Sequence, residues 1–318
     1  MKSQFVADLA PGTRLETTFL IHSKERKTAS NGRPYLDLEL RDASGVIKAK
    51  VWDCDRLDQD VEAEDFVWVQ GNVDAYRGSP QVVVTKLRRC REEEIDPRDY
   101  LPRSKRDPEE MYAALLARLH RTAESPLGAL LLAVFEDPAI AEKYKLAPAA
   151  MSYHHAYLGG LLEHVLSLIA LGDQVSDHYP SLRRDLVLAG IVLHDIGKIE
   201  ELAFRRGFRY TTRGQLLGHI TIGLAIVNEK IRAIPDFPAD LRDQIEHIVL
   251  AHHGQLEFGS PKEPAFPEAF VVHVLDNLDS KLESMRAQYE TDKNREGDFT
   301  ARNPALKREL LKIERSGN

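Results

Sequence analysis

The chain has 318 residues, 43% hydrophobic and 29% charged, with a formal net charge of −7. That profile belongs to a globular protein of more than one domain, and the acidic total excludes a general polyanion binder. No apolar run is long enough to cross a bilayer, so no membrane partner is expected.

Residues 13–90 read as short strands. In "RPYLDLEL", Leu36, Leu38 and Leu40 face one way and Tyr35, Asp37 and Glu39 the other. "RDASG" is a hairpin turn with Gly45 at its tip, and "VIKAKVW" alternates again with Ile47, Ala49 and Val51 on one face. "DFVWVQGNVDAY", the turn "RGSP" and "QVVVTKLRRC" add two more strands. Five strands with a long first member predict a small closed barrel, an OB-fold, over residues 1–90. The charged, proline-bearing stretch 91–107 reads as a linker that ends in "DPEE", a helix N-terminus. From 108 to 290 apolar residues recur at helical spacing, which predicts an all-α domain. Residues 291–318 form a polar tail, expected to be poorly ordered or to pack as a short peripheral helix. Cys54 and Cys90 have no metal-ligand spacing, and "MKSQFVADLA" does not read as a signal peptide, so a reduced, cytoplasmic setting is expected. A homo-oligomer is compatible with the chain but not specified by it.

Charge and histidine are unevenly placed. Residues 1–106 hold 19 Lys/Arg and 19 Asp/Glu, so the whole −7 lies beyond Arg106, where there are 24 and 31. Ten of the 12 histidines lie after residue 150. His164, His194–Asp195, His219, His252–His253 and Asp276 fall at the ends of apolar helices. One such residue is ordinarily a surface or hydrogen-bonded core group, but five sites on successive helices suit a divalent cation, and no cysteine competes. Gly197 after "HDI" is expected to allow close approach of a metal-bound substrate, and Lys198 to attract a phosphate oxygen. Adjacent residues on a helix project about 100° apart, so His194 and Asp195 reach one ion only near the helix end, where Asp195 extends to a second.

This order of histidines and aspartates resembles the HD-domain phosphohydrolase superfamily. The strings "SYHHAYLGGLLEHV", "HDIGKIEEL", "GQLLGHI", "AHHGQLEFGSPKEP" and "DNLDSKL" resemble, more narrowly, the YhaM family of bacterial 3′→5′ exoribonucleases, which join an OB-fold to an HD domain. The resemblance implies a metal-dependent phosphodiesterase acting on single-stranded RNA, and on single-stranded DNA as a further substrate. It implies divalent ions, two per chain, with Mn²⁺ favoured over Mg²⁺, Fe²⁺ or Co²⁺. It makes His164, His194, Asp195 and Asp276 the core ligands, with His219 and one of His252/His253 (His252 first) on a second ion. Asp195 and Lys198 become the catalytic pair, His154 and His155 face the substrate, and Glu163 and Asp279 orient ligands. On the barrel, Lys48, Lys50 and Trp52 share the face opposite the buried residues, with Tyr35 beside them, as a strand-binding surface. Arg77, Lys86, Arg88 and Arg89 extend it, while Trp68 reads as structural. Two other readings stay open: a phosphohydrolase of small nucleotides, and a non-catalytic nucleic-acid-binding adaptor.

Overall fold

A computed structural model describes residues 2–52, 54, 60–76, 78–151, 155–292 and 296–312. The chain forms two compact units: Met1–Arg103 with the short Arg205–Gly207 segment, and Ser104–Phe204 with Phe208–Asn318.

The first unit is a closed five-stranded barrel, as the alternation predicts. Its strands are β1 (Arg14–Thr28), β2 (Pro34–Asp42), β3 (Gly45–Trp52), β4 (Phe66–Tyr76) and β5 (Ser79–Arg89), in the order β1-β2-β3-β5-β4. The β3–β5 pair is parallel and the other pairings are antiparallel, with β4 returning to β1 to close the sheet. Leu36, Leu38 and Leu40 from β2 and Ile47, Ala49 and Val51 from β3 are all buried in the barrel core. A period of 2 places the polar residues between them on the outside.

Of the stretch 91–107 expected as a linker, residues 91–103 are built into this unit. Asp96 caps a short 3₁₀ turn over Pro97–Asp99, and the amide of Ala43 donates to the carbonyl of Asp99. Tyr100 is 1% exposed; its ring lies 4.8 Å from that of Phe66 and its hydroxyl meets Thr18. The charges around it masked one well-placed aromatic residue.

The second unit is helical: α1 (Pro108–His120), α2 (Pro126–Phe135), α3 (Pro138–Leu146), α4 (Gly160–His178), α5 (Arg184–Leu193), α6 (Lys198–Glu201), α7 (Thr212–Arg232), α8 (Ala239–Ala251) and α9 (Pro267–Thr291). Asp107, Ser125 and Asp137 cap α1, α2 and α3, each followed by Pro at the first helical position. A small hairpin, β6 (Leu202–Ala203) and β7 (Arg209–Tyr210), interrupts the helices. Every residue of α5 from Leu186 to Leu193 is buried, so α5 is the central helix rather than an amphipathic one. No described helix is long and apolar enough to cross a membrane.

The tail is neither loose nor helical where it is described. Phe299 bridges Leu311 and Asn303 bridges Arg308 in antiparallel fashion. Buried Asn303 donates to the Ser284 carbonyl on α9, which gives this polar segment a partner that its composition does not advertise.

Both tryptophans lie in the barrel strands, so tryptophan fluorescence follows that unit alone. Tyr100→Ala is expected to lower its stability in urea by about 3–5 kcal/mol. A free linker position would change it by less than about 0.5 kcal/mol.

Candidate metal centre

The end of α5 delivers the first pair of groups. His194 is the C-cap residue, still in helical conformation, and Asp195 follows in the turn before α6. His194 is fully buried, and its Nδ1 donates to the Ile191 carbonyl at 2.8 Å. His252, at the end of α8, repeats the device: its Nδ1 donates to the Val249 carbonyl at 2.7 Å. His164 on α4 directs Nδ1 to Asp279 Oδ2 at 2.7 Å, and His219 on α7 directs Nδ1 to Glu201 Oε1 at 3.1 Å. With Nδ1 engaged on an oxygen acceptor, the neutral ring keeps its lone pair at Nε2, the form that binds a metal.

The Nε2 atoms converge. Those of His194, His219 and His252 are buried and have no hydrogen-bond partner among the described residues, and Asp195 Oδ1 is in the same condition. Asp195 stands between two groups. Its Oδ2 lies 3.2 Å from His194 Nε2, and its Oδ1 lies 3.5 Å from His219 Nε2 and 3.7 Å from His252 Nε2. Three groups of possible ligands have their ligand atoms within 4.8 Å of one another: His164, His194 and Asp276; His219, His252 and His253; and His155, His164 and Asp279, the last already joined by hydrogen bonds through Asp279 Oδ2. Orphaned imidazole nitrogens and carboxylate oxygens facing one another in a buried space fit divalent cations, which supply the missing partners.

Electrostatics agree with this geometry. Burial alone would raise the Asp195 carboxyl, but Lys198 and then His194 outweigh it and hold it well below the usual carboxylate range. Burial alone would likewise lower the Lys198 ammonium, yet Asp195, 2.6 Å away, raises it above its ordinary value. Burial and the neighbouring His194 push the His252 imidazole well down, leaving it neutral.

Two supports escaped the sequence reading. Gly218 breaks α7 with a left-handed φ of 69° immediately before His219. The break frees the His219 amide to donate to Glu201 Oε1, the same oxygen that holds its ring. Glu201 looked like one more acid of "KIEEL", and only its burial distinguishes it. His273 on α9 is the second; its Nδ1 donates to the carbonyl of His252.

Two expectations change. Gly197 does not open a path for substrate: a Cβ there would lie 2.0 Å from the His219 carbonyl and 2.6 Å from the Gly223 amide, so its role is close packing of α6 on α7. His155 does not face a channel. It is 6% exposed, with Nδ1 2.9 Å from Tyr157 Oη and Nε2 3.1 Å from Asp279 Oδ2. It therefore braces the carboxylate that orients His164, and Ser167 donates to that carboxylate's other oxygen. Glu163 joins the same chain by accepting from Tyr157. His154 lies outside the described residues, as does Arg77.

Asp195, Lys198, His252, His253 and Asp276 line a cleft of about 260 Å³. On the barrel, the Tyr35 and Trp52 rings pack at 4.8 Å with Trp52 49% exposed. Lys50 sits 4.7 Å from the Tyr35 ring centroid and pairs with Asp37, and Lys48 is exposed on the same face. Arg88 and Arg89 are less available than their positions suggest, being paired with Glu94 and Asp65. Lys86 is exposed, and Trp68 lies 5.6 Å beneath the Arg88 guanidinium.

The His164 imidazole yields a pH prediction. Burial would lower it, but hydrogen bonds with Asp276 and Asp279 raise it to about 9. A cation needs Nε2 without its proton, so below that pH metal binding expels one. Metal affinity should rise about tenfold per pH unit between roughly pH 7 and 9 and then level off. Calorimetric titration with Mn²⁺ in buffers of differing ionisation enthalpy measures both the affinity and the proton; an affinity independent of pH contradicts the assignment.

Similarity to known proteins points the same way. Residues 161–281 match the family described as HD domain, and residues 20–89 the one described as OB-fold nucleic acid binding domain. Two curated relatives, from Bacillus velezensis and Bacillus subtilis, each named "3'-5' exoribonuclease YhaM", are 36% identical over 299 residues. The alignment takes in 93% of this chain and 93% of each relative, barrel and helical unit together. At that identity across nearly the whole length, the chain belongs to the YhaM family.

Proposed function

We propose that the protein is a metal-dependent 3′→5′ exoribonuclease that hydrolyses phosphodiester bonds of single-stranded RNA, and of single-stranded DNA as a further substrate. The observation that carries the reading is the set of buried, partnerless Nε2 atoms gathered around Asp195 Oδ1. His164, His194 and Asp276 would hold one divalent ion, and His219, His252 and His253 a second, with Asp195 shared; Mn²⁺ is favoured by the mixed imidazole and carboxylate donors. Such ions, when bound, supply a hydroxide nucleophile near neutral pH and polarise the phosphoryl oxygens.

The chain's own groups do the rest. The fixed acceptors on each Nδ1 keep the imidazoles aimed, so no reorganisation is needed as substrate enters. Lys198 borders the cleft as a partly buried ammonium and stabilises negative charge added at phosphorus. Tyr35 and Trp52 offer bases a stacking surface, with Lys48 and Lys50 for phosphates. The pairing of Lys50 with Asp37 tempers that charge, which suits a strand that must move through after each cut. A free nucleotide needs no such strand-holding face, which disfavours the small-nucleotide reading. The direction of degradation rests on the activity named for the relatives.

Protein stripped of metal and reloaded with Mn²⁺ is expected to shorten 5′-labelled single-stranded RNA stepwise from its free 3′ end. Asp195→Asn keeps the size of the side chain but loses the charge that two ligand sets share, and should reduce the rate by at least about 10³-fold. Intact RNA in the presence of Mn²⁺ would contradict the assignment, as would an Asp195→Asn protein of normal rate.

A further inference from the structure

One wall of the cleft belongs to no ligand set. His273, Asn277 and Ser280 line it from α9, the helix that carries Asp276. Spacings of three and four residues stack them on one face, so Ser280 lies one turn, about 6 Å, along the helix from the ligand. All three offer hydrogen-bonding groups. His273 spends Nδ1 on the His252 carbonyl, which leaves Nε2 as an acceptor in the neutral ring. Its ring packs directly onto Gly254, where a Cβ would fall 2.1 Å from Cε1. Ser280 donates to the Asn277 carbonyl at 3.2 Å, leaving its oxygen to accept. The half-buried Asn277 carboxamide makes no hydrogen bond among the described residues.

We propose that this wall seats the sugar of the strand's terminal nucleotide and reads its free 3′-hydroxyl. The proposal rests on the exonuclease reading and gives it a physical basis for choosing an end. A phosphate gripped by ions at Asp195 and Asp276 leaves the sugar of the departing nucleotide within one helical turn. A hydroxyl there donates to a fixed acceptor and accepts from an amide, which His273, Ser280 and Asn277 supply. Another phosphate does not fit as well: among the described residues Lys198 is the one ammonium lining the cleft and is already paired with Asp195, while Asp276 repels a second anion.

The test uses full-length protein with Mn²⁺ and 5′-labelled oligoribonucleotides that end in a 3′-hydroxyl, a 3′-deoxy sugar or a 3′-phosphate. Wild-type protein is expected to release the first nucleotide from the hydroxyl end about 10-fold faster in kcat/KM than from the 3′-deoxy end. The 3′-phosphate end should be slower again. Asn277→Ala and Ser280→Ala should each pull the rate on the hydroxyl end down toward that of the 3′-deoxy end, so the ratio collapses, while Mn²⁺ affinity by calorimetry stays at the wild-type value. Equal wild-type rates on hydroxyl and 3′-deoxy ends overturn the proposal and leave the nuclease standing. A variant that slows both ends by the same factor, or that loses Mn²⁺, also overturns it, since the wall would then only support the metal site. Cleavage of no end by wild-type protein sinks the exonuclease reading and the proposal with it.

Discussion

Four Nδ1 hydrogen bonds set up the helical unit's centre. The acceptors are two main-chain carbonyls, of Ile191 and Val249, and two carboxylates, of Asp279 and Glu201. Each is fixed by a helix or by further hydrogen bonds, so each ring has one orientation and, when neutral, one tautomer. The consequence is a group of Nε2 lone pairs turned inward with Asp195 among them. In a metal-free interior a polar atom left this way costs about 1–3 kcal/mol. A fold that carries three such nitrogens and a carboxylate oxygen in one place gives up stability there, as functional sites do.

The surroundings follow from that arrangement. α5 is buried from Leu186 to its end at Leu193, which anchors His194 and Asp195 in the core. The close approach of α6 and α7 requires Gly197, and the break at Gly218 turns His219 toward Glu201. On the α9 side, Asp279 holds His164 and is itself held by His155 and Ser167. Removing any one of these supports would not delete a candidate ligand, but it would let one rotate. The barrel answers a different need. Its outer face combines two packed aromatic rings with lysines, chemistry that suits a flexible strand.

Much of this was legible in the sequence, for reasons that differ by element. The strands of the barrel announced themselves because Leu36, Leu38 and Leu40 alternate with polar residues on a half-buried sheet. The candidate ligands stood out because histidine and aspartate are rare at the ends of apolar helices. What stayed hidden depends on three-dimensional context. Glu201 and Glu200 are indistinguishable in "KIEE", yet only Glu201 is buried and holds His219. His155 looked like a group for substrate and turned out to brace Asp279. Tyr100 sat inside a charged run that reads as linker, and no local pattern tells where its ring would land.

The central claim is that two sets of imidazole and carboxylate groups, joined by Asp195, bind divalent cations. A crystal soaked in Mn²⁺ and measured at the manganese absorption edge tests it directly. The account predicts two anomalous peaks, one among His164, His194 and Asp276, the other among His219, His252 and His253, each within reach of an Asp195 oxygen. No peak at either set, or a peak bound without Asp195, would contradict it.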